Sequence, residues 1–126
     1  MIDEQEPIYS YSRKQAIADG VLVDCTEIAR EAGFRYSVAL TRRLWDSFIV
    51  PDDESRQHGQ SEQGRLWDVL NVLRAAIGLS RGGSEIQFDV LFWTVDGGQR
   101  SQTLCSICGP DDDFAPCITI MLPDED

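Results

Sequence analysis

The chain has 126 residues, with 22 Asp and Glu against 11 Lys and Arg, one His and a formal net charge of −11. That length suits a single domain spanning 1–126, able to bury roughly two-thirds of its unfolded surface without a metal or disulfide. A hydrophobic content of 42% excludes a disordered acidic tail, and the charge disfavours direct binding to nucleic acid, whose phosphates recruit Lys and Arg.

Ser12 and Gln15 have the spacing of a capping box and Gly20 supplies a stop, so residues 13–19 read as a short helix. Val21–Val23 reads as a brief extended segment. Asp24 and Glu27 repeat the capping spacing, and a helix through Ile28, Ala29 and Ala32 should end at Gly33. Val38, Thr41, Leu44, Trp45, Phe48 and Ile49 recur at three- and four-residue steps, which predicts one helix stopped ahead of Pro51. Residues 52–63 are polar, lack a hydrophobic period and read as a loop.

Leu66, Val69, Leu70, Leu73, Ala76 and Ile77 then mark an amphipathic helix that ends near Gly78, with Arg65, Asp68 and Arg74 on or beside its wet face and Trp67 at the border of its apolar stripe. Beyond it the period changes to two. Ile86, Phe88, Val90 and Phe92 alternate with Gln87, Asp89 and Leu91. Asp96-Gly97 predicts a hairpin turn into a strand over about 100–108, broken by Gly109-Pro110. Cys117–Leu122 is a third strand, stopped by Pro123. The expected fold class is α+β, with N-terminal helices packed on a C-terminal three-stranded antiparallel β-meander. Residues 1–7 and 123–126 are expected to be flexible acidic termini.

The candidates for chemistry are few. Cys105 and Cys108 have metal or redox spacing, but three steps along a strand put their side chains on opposite faces. No second Cys-x-x-Cys pair accompanies them. Cys108 and Cys117 would face each other if the 109–116 loop joins paired strands. The lone His58 lies in the polar loop without a second His, so a Ser or Cys nucleophile lacks its usual base. Asp111–Asp113 do not alternate as calcium ligands do, and glycines of the Arg81-Gly82-Gly83 segment follow a helix rather than lead into one, the reverse of a phosphate cradle. No cofactor is expected. Trp45, Trp67 and Trp93 fall on or beside apolar stripes, and any that proves exposed is a candidate interface anchor. There is no basic, apolar leader and no membrane-spanning run, so a cytoplasmic protein with reduced thiols and no membrane partner is expected.

Charge is unevenly placed. Asp3/Glu4/Glu6, Asp52–Glu54, Asp111–Asp113 and Asp124–Asp126 hold 12 of the 22 acids, while Pro7–Pro51 carries five acids and six bases and Arg65–Pro110 four of each. The predicted elements are therefore close to neutral, and the excess belongs to termini and loops.

Ile8–Asp24, Glu31–Phe34, Val38–Thr41, Gly64–Leu70, Cys108–Asp111 and Ile118–Asp126 together resemble a family of small bacterial proteins catalogued as a domain of unknown function. Cys105 and Asp113-Phe114 depart from its pattern. The resemblance covers nearly the whole chain and implies plasmid, prophage or integrative-element origin, with no activity, cofactor or catalytic residue attached. Joined to the charge pattern, it leads to the expectation of a non-enzymatic acidic inhibitor or regulator that occupies a basic, nucleic-acid-binding surface of a host defence protein, anti-CRISPR or anti-restriction being the specific form. The expected contact residues are Asp52, Asp53, Glu54, Asp111, Asp112 and Asp113. Two alternatives stand beside it: an accessory protein binding a co-encoded partner, and a metal protein using Cys105, Cys108, Cys117 and His58.

Overall fold

The computed structural model describes residues 11–80, 82–94 and 98–125. Helix α1 spans Arg13–Ala18, with the Ser12 side chain accepting from the Gln15 amide as its cap. Strand β1 (Leu22–Asp24) follows, then helix α2 (Thr26–Glu31). Asp24 stands just before that helix, its carboxylate accepting from the Thr26 amide and hydroxyl. Gly33 ends the segment at φ +102°, a backbone conformation that favours glycine, with the Arg74 guanidinium packed close against it.

The next stretch departs from expectation. Ser37–Thr41 is strand β2, not the start of a helix. Val38, Ala39 and Leu40 are each fully buried because β2 lies inside the sheet, and a strand covered on both faces reads as a continuous apolar run rather than an alternating one. Only Arg42–Leu44 begins the helix, α3, capped by the Thr41 hydroxyl, and it continues as a π-helical turn over Trp45–Ile49 closed by a Val50 amide to Trp45 carbonyl bond. The polar 52–63 segment also has structure. Helix α4 (Asp53–Gln57) is a single capped turn, and the long helix α5 (Glu62–Leu79) starts on its Ser61 cap. A turn this short buries too little to leave a hydrophobic period.

Strands β3 (Glu85–Thr94), β4 (Gly98–Pro110) and β5 (Pro116–Met121) pair antiparallel in sequence order. The Asp96-Gly97 turn lies outside the described residues. Strand β4 runs through Gly109-Pro110 because β5 pairs with both, Gly109 opposite Cys117 and Pro110 opposite Pro116. The sheet does not stop at three strands. Its order is β1-β2-β5-β4-β3, with β2 parallel to β5 and β1 antiparallel to β2, so the fold is α+β on a five-stranded mixed sheet. The expected three-stranded meander underestimated it because β1 is only three residues long and β2 has the wrong period.

One face of the sheet holds the core. Phe88, Val90 and Phe92 from β3, Leu104 from β4, Ile118 and Ile120 from β5 and Val38 and Leu40 from β2 pack against Leu66, Val69, Leu70 and Leu73 of α5 and Ala29 of α2. Burying a Leu- or Phe-sized side chain contributes about 1.5–3 kcal/mol, so this face dominates stability. Helix α1 lies on the opposite face, where Arg13 donates to the Thr119 hydroxyl (2.6 Å) and the Ile118 carbonyl (2.9 Å) of β5. Of the termini expected to be flexible, residues 1–7 and Asp126 lie outside the described residues, while Asp124 and Glu125 are engaged with the fold. Pro123–Glu125 forms a 3₁₀ turn, Glu125 accepts from the Thr41 hydroxyl and the Leu122 amide, and Asp124 pairs with Arg43 at 2.9 Å. Among the described residues no helix is long and apolar enough to cross a membrane.

Candidate functional site

The first acidic segment belongs to α4. Asp52 caps it by accepting from the Ser55 amide at 2.7 Å, which, with the Ser55 hydroxyl, holds the carboxyl below its usual range. Asp53 and Glu54 occupy the first turn, where the positive end of the peptide dipoles favours them. Beside them is a cation that pattern reading left on the wet face of α5. Arg65 is only 8% exposed, and it donates to the Phe48 carbonyl (3.0 Å) and the Trp93 carbonyl (2.8 Å), tying α5 to the π turn and to the end of β3. Burial lowers its pKa, and burial likewise raises that of Asp68 on the same helix. His58 closes α4: its Nδ1 lies 3.0 Å from the Glu54 carbonyl and its ring rests 5.7 Å from Trp93. Its ring thus caps α4 and packs on Trp93.

The second acidic segment folds a loop and docks a helix. Asp111 accepts from the amides of Asp113 (2.8 Å) and Ala115 (2.9 Å), and its own amide donates to the Ala115 carbonyl. Asp112 reaches across to α1, accepting from the amides of Arg13 and Lys14, each at 2.9 Å. Those bonds hold its carboxyl well below the ordinary range. A helix start leaves four amides without intrahelical partners. In α1 the Gln15 amide bonds to the Ser12 hydroxyl, and the Arg13 and Lys14 amides bond to a residue almost a hundred positions away.

Phe114 forms the tip of this loop. Its φ is +64°, a conformation that bulky residues rarely adopt, and its side chain is 87% exposed. The Asp111 bonds on either side keep the backbone there, with the Phe114 amide itself donating to the Asp111 carbonyl. Phe114 is thus a strained, framed and almost wholly exposed aromatic.

The two segments do not share a face. Asp52 neighbours Arg65, Arg100 and Phe92 at the hairpin end of the sheet, whereas Asp111 follows the other end of β4. From Arg100 to Pro110 a strand travels roughly 30 Å at about 3.3 Å per residue. Of the six expected contact acids, Asp52, Asp111 and Asp112 are engaged in folding the chain. Only the carboxylates of Asp53, Glu54 and Asp113 have no hydrogen-bond or ion-pair partner among the described residues.

The cysteines resolve by register. Cys105 and Cys108 fall on opposite sheet faces, as strand geometry requires, with Cys108 against the core. Cys108 faces Ile118 and not Cys117, which stands opposite Gly109, so the expected cross-strand pair is one residue out and none of the four cysteines is in a disulfide. Burial pushes the Cys25 thiol up to about 12, aided by the Asp24 charge, and raises Cys117 as well, which makes both poor nucleophiles and ligands near neutrality. Among the described residues no group of three or more His, Cys, Asp or Glu side chains is placed to hold a metal ion. The three Trp are all half-buried, so none is the exposed anchor. Phe114 was missed by pattern reading, although an isolated aromatic between Asp113 and Ala115 in an otherwise polar loop was a visible signal.

The fold and site define an α+β domain that presents a framed acidic loop with an aromatic tip. The chain belongs to the DUF6573 family, described as a family of unknown function, whose model matches residues 1–126. No curated protein and no solved structure matches it.

Proposed function

We propose that this chain is a non-enzymatic protein-binding inhibitor or regulator of a mobile genetic element, acting by occupying a basic, nucleic-acid-binding surface of a host defence protein such as a CRISPR or restriction component. The observation that supports this reading is Phe114, 87% exposed at φ +64° on a loop rigidified by Asp111. Buried aromatic anchors ringed by polar contacts dominate binding energy in protein interfaces, and a preformed loop loses little entropy on docking. Asp113 beside it supplies charge for Arg or Lys on the partner, and the net charge of −11 accelerates encounter with a basic channel. Asp53 and Glu54 form a separate acidic contact at the other end of β4, reached only by a partner long enough to span the sheet.

The test is affinity capture from a bacterial lysate with wild-type protein and Phe114→Ala side by side. Wild type should retain a basic protein that elutes as salt rises, because exposed charges are screened over about 8 Å near physiological ionic strength. Phe114→Ala should lose it by at least about 30-fold in affinity, the effect of truncating an anchor. Equal retention by both proteins overturns the reading. A retained protein encoded beside this chain, rather than a defence component, would instead favour the accessory role.

A further inference from the structure

On the core side of the sheet, past the end of α5, a cavity of about 390 Å³ opens between Tyr36, Ile77, Ile86, Ser106, Cys108 and Ile118. That volume lies within the roughly 300–1,000 Å³ range of small-molecule sites. The connection 82–84 borders its mouth and is tied down by the Cys108 amide, which donates to the Ser84 carbonyl at 2.7 Å. Three isoleucines and a tyrosine make much of the wall apolar, Ser80, Ser84 and Ser106 bring hydroxyls to it, and no charged side chain lines it among the described residues. Ser106 is the buried one of the three serines. It is 4% exposed, and its hydroxyl has no hydrogen-bond partner among the described residues.

A buried hydroxyl left unpaired is unfavourable, and a strand position facing isoleucines offers no reason for one. We propose that this cavity binds an uncharged, largely apolar small molecule whose single hydrogen-bonding group meets the Ser106 hydroxyl. The apolar walls supply affinity, Ser106 sets orientation, and the lack of a counter-charge among the described residues disfavours ionised analogues. The cavity shares no lining residue with the 111–115 loop, so it stands or falls independently of the protein-binding reading.

The test uses three probes of one shape: 2-naphthol, naphthalene and 2-naphthoate, titrated into the full chain and followed by amide chemical shifts. 2-Naphthol should shift Ser106, Cys108 and Ile118 saturably and slow alkylation of Cys108, the one thiol of the four that is not fully buried. Naphthalene should bind about fivefold more weakly for want of the hydrogen bond, and 2-naphthoate at least about tenfold more weakly. Ser106→Ala, which removes no partner and should fold as well as wild type, should bring 2-naphthol down to the level of naphthalene. Ile86→Trp, which fills the cavity, should abolish binding of both. Absence of saturable shifts with all three probes overturns the proposal, as does a preference for 2-naphthol that survives Ser106→Ala.

Discussion

Two segments of this chain look alike on paper: Pro51 followed by Asp52, Asp53 and Glu54, and Pro110 followed by Asp111, Asp112 and Asp113. The fold uses them differently. Asp52 caps the helix it starts, a bond three residues long, and its neighbours remain on the surface. Asp111 shapes its own loop, while Asp112 crosses the molecule to close the start of α1. The first is local chemistry that any isolated turn could make. The second exists only once α1 has docked on β5, and it leaves Phe114 as an exposed tip. Net charge therefore misdescribes both: half of the six acids are structural, and the remaining three sit at opposite ends of β4.

The largest effect should come from the cation beside the first segment. Arg65→Ala removes the donor to the Phe48 and Trp93 carbonyls and should destabilise by about 3 kcal/mol in urea unfolding, since each part-buried carbonyl left unpaired costs about 1–3 kcal/mol. A loss below 1 kcal/mol would mean that the α4 end is held by packing alone. Next, Phe114→Gly relieves the left-handed backbone and should raise stability by up to about 1 kcal/mol while weakening partner binding. If stability falls instead, the phenylalanine serves the fold and not a partner.

Asp112→Ala and Asp52→Ala sharpen the contrast directly. The first should expose the Arg13 and Lys14 amides to hydrogen exchange and loosen α1 at a distance; the second should expose only the Ser55 amide and α4. Both carboxyls titrate below their ordinary value when folded. Their stabilisation is thus complete above the unfolded pKa of about 4 and is lost as pH falls through the depressed folded values. The acid limb of a stability-against-pH curve should flatten in each variant. Unchanged protection of Arg13 and Lys14 in Asp112→Ala would break the cross-chain cap. Smallest of all, neutralising Asp53, Glu54 and Asp113 together should change stability by less than about 0.5 kcal/mol, while slowing association with a basic partner and reducing its salt dependence.

Short-range signals were readable in the chain and long-range ones were not. The Ser12 cap of α1, the stripe from Leu66 to Leu73 and the alternation from Ile86 to Phe92 each depend on residues within one turn or one pleat, and each has its counterpart in the fold. Val38–Leu40 misled because both faces of β2 are covered, a property of its neighbours and not of its residues. Arg65 sat on a face that a helical wheel leaves wet, and only the approach of the π turn and β3 buries it. The expected contact acids were legible as charge, but their division into structural and available carboxylates was not, because Asp112 finds its donors in α1.

By itself the sequence determined an α+β domain, the cap of α1, the antiparallel order of the last three strands and the separation of Cys105 from Cys108 across a strand. These follow from local periodicity and capping, whose physics is complete within a few residues. Tertiary structure alone decided the five-stranded mixed sheet, the placing of the two acidic segments at opposite ends of β4, the exposure of Phe114 and the cavity around Ser106. Each of those depends on strand order and register between distant segments, and no local pattern encodes which of several buried runs will become neighbours.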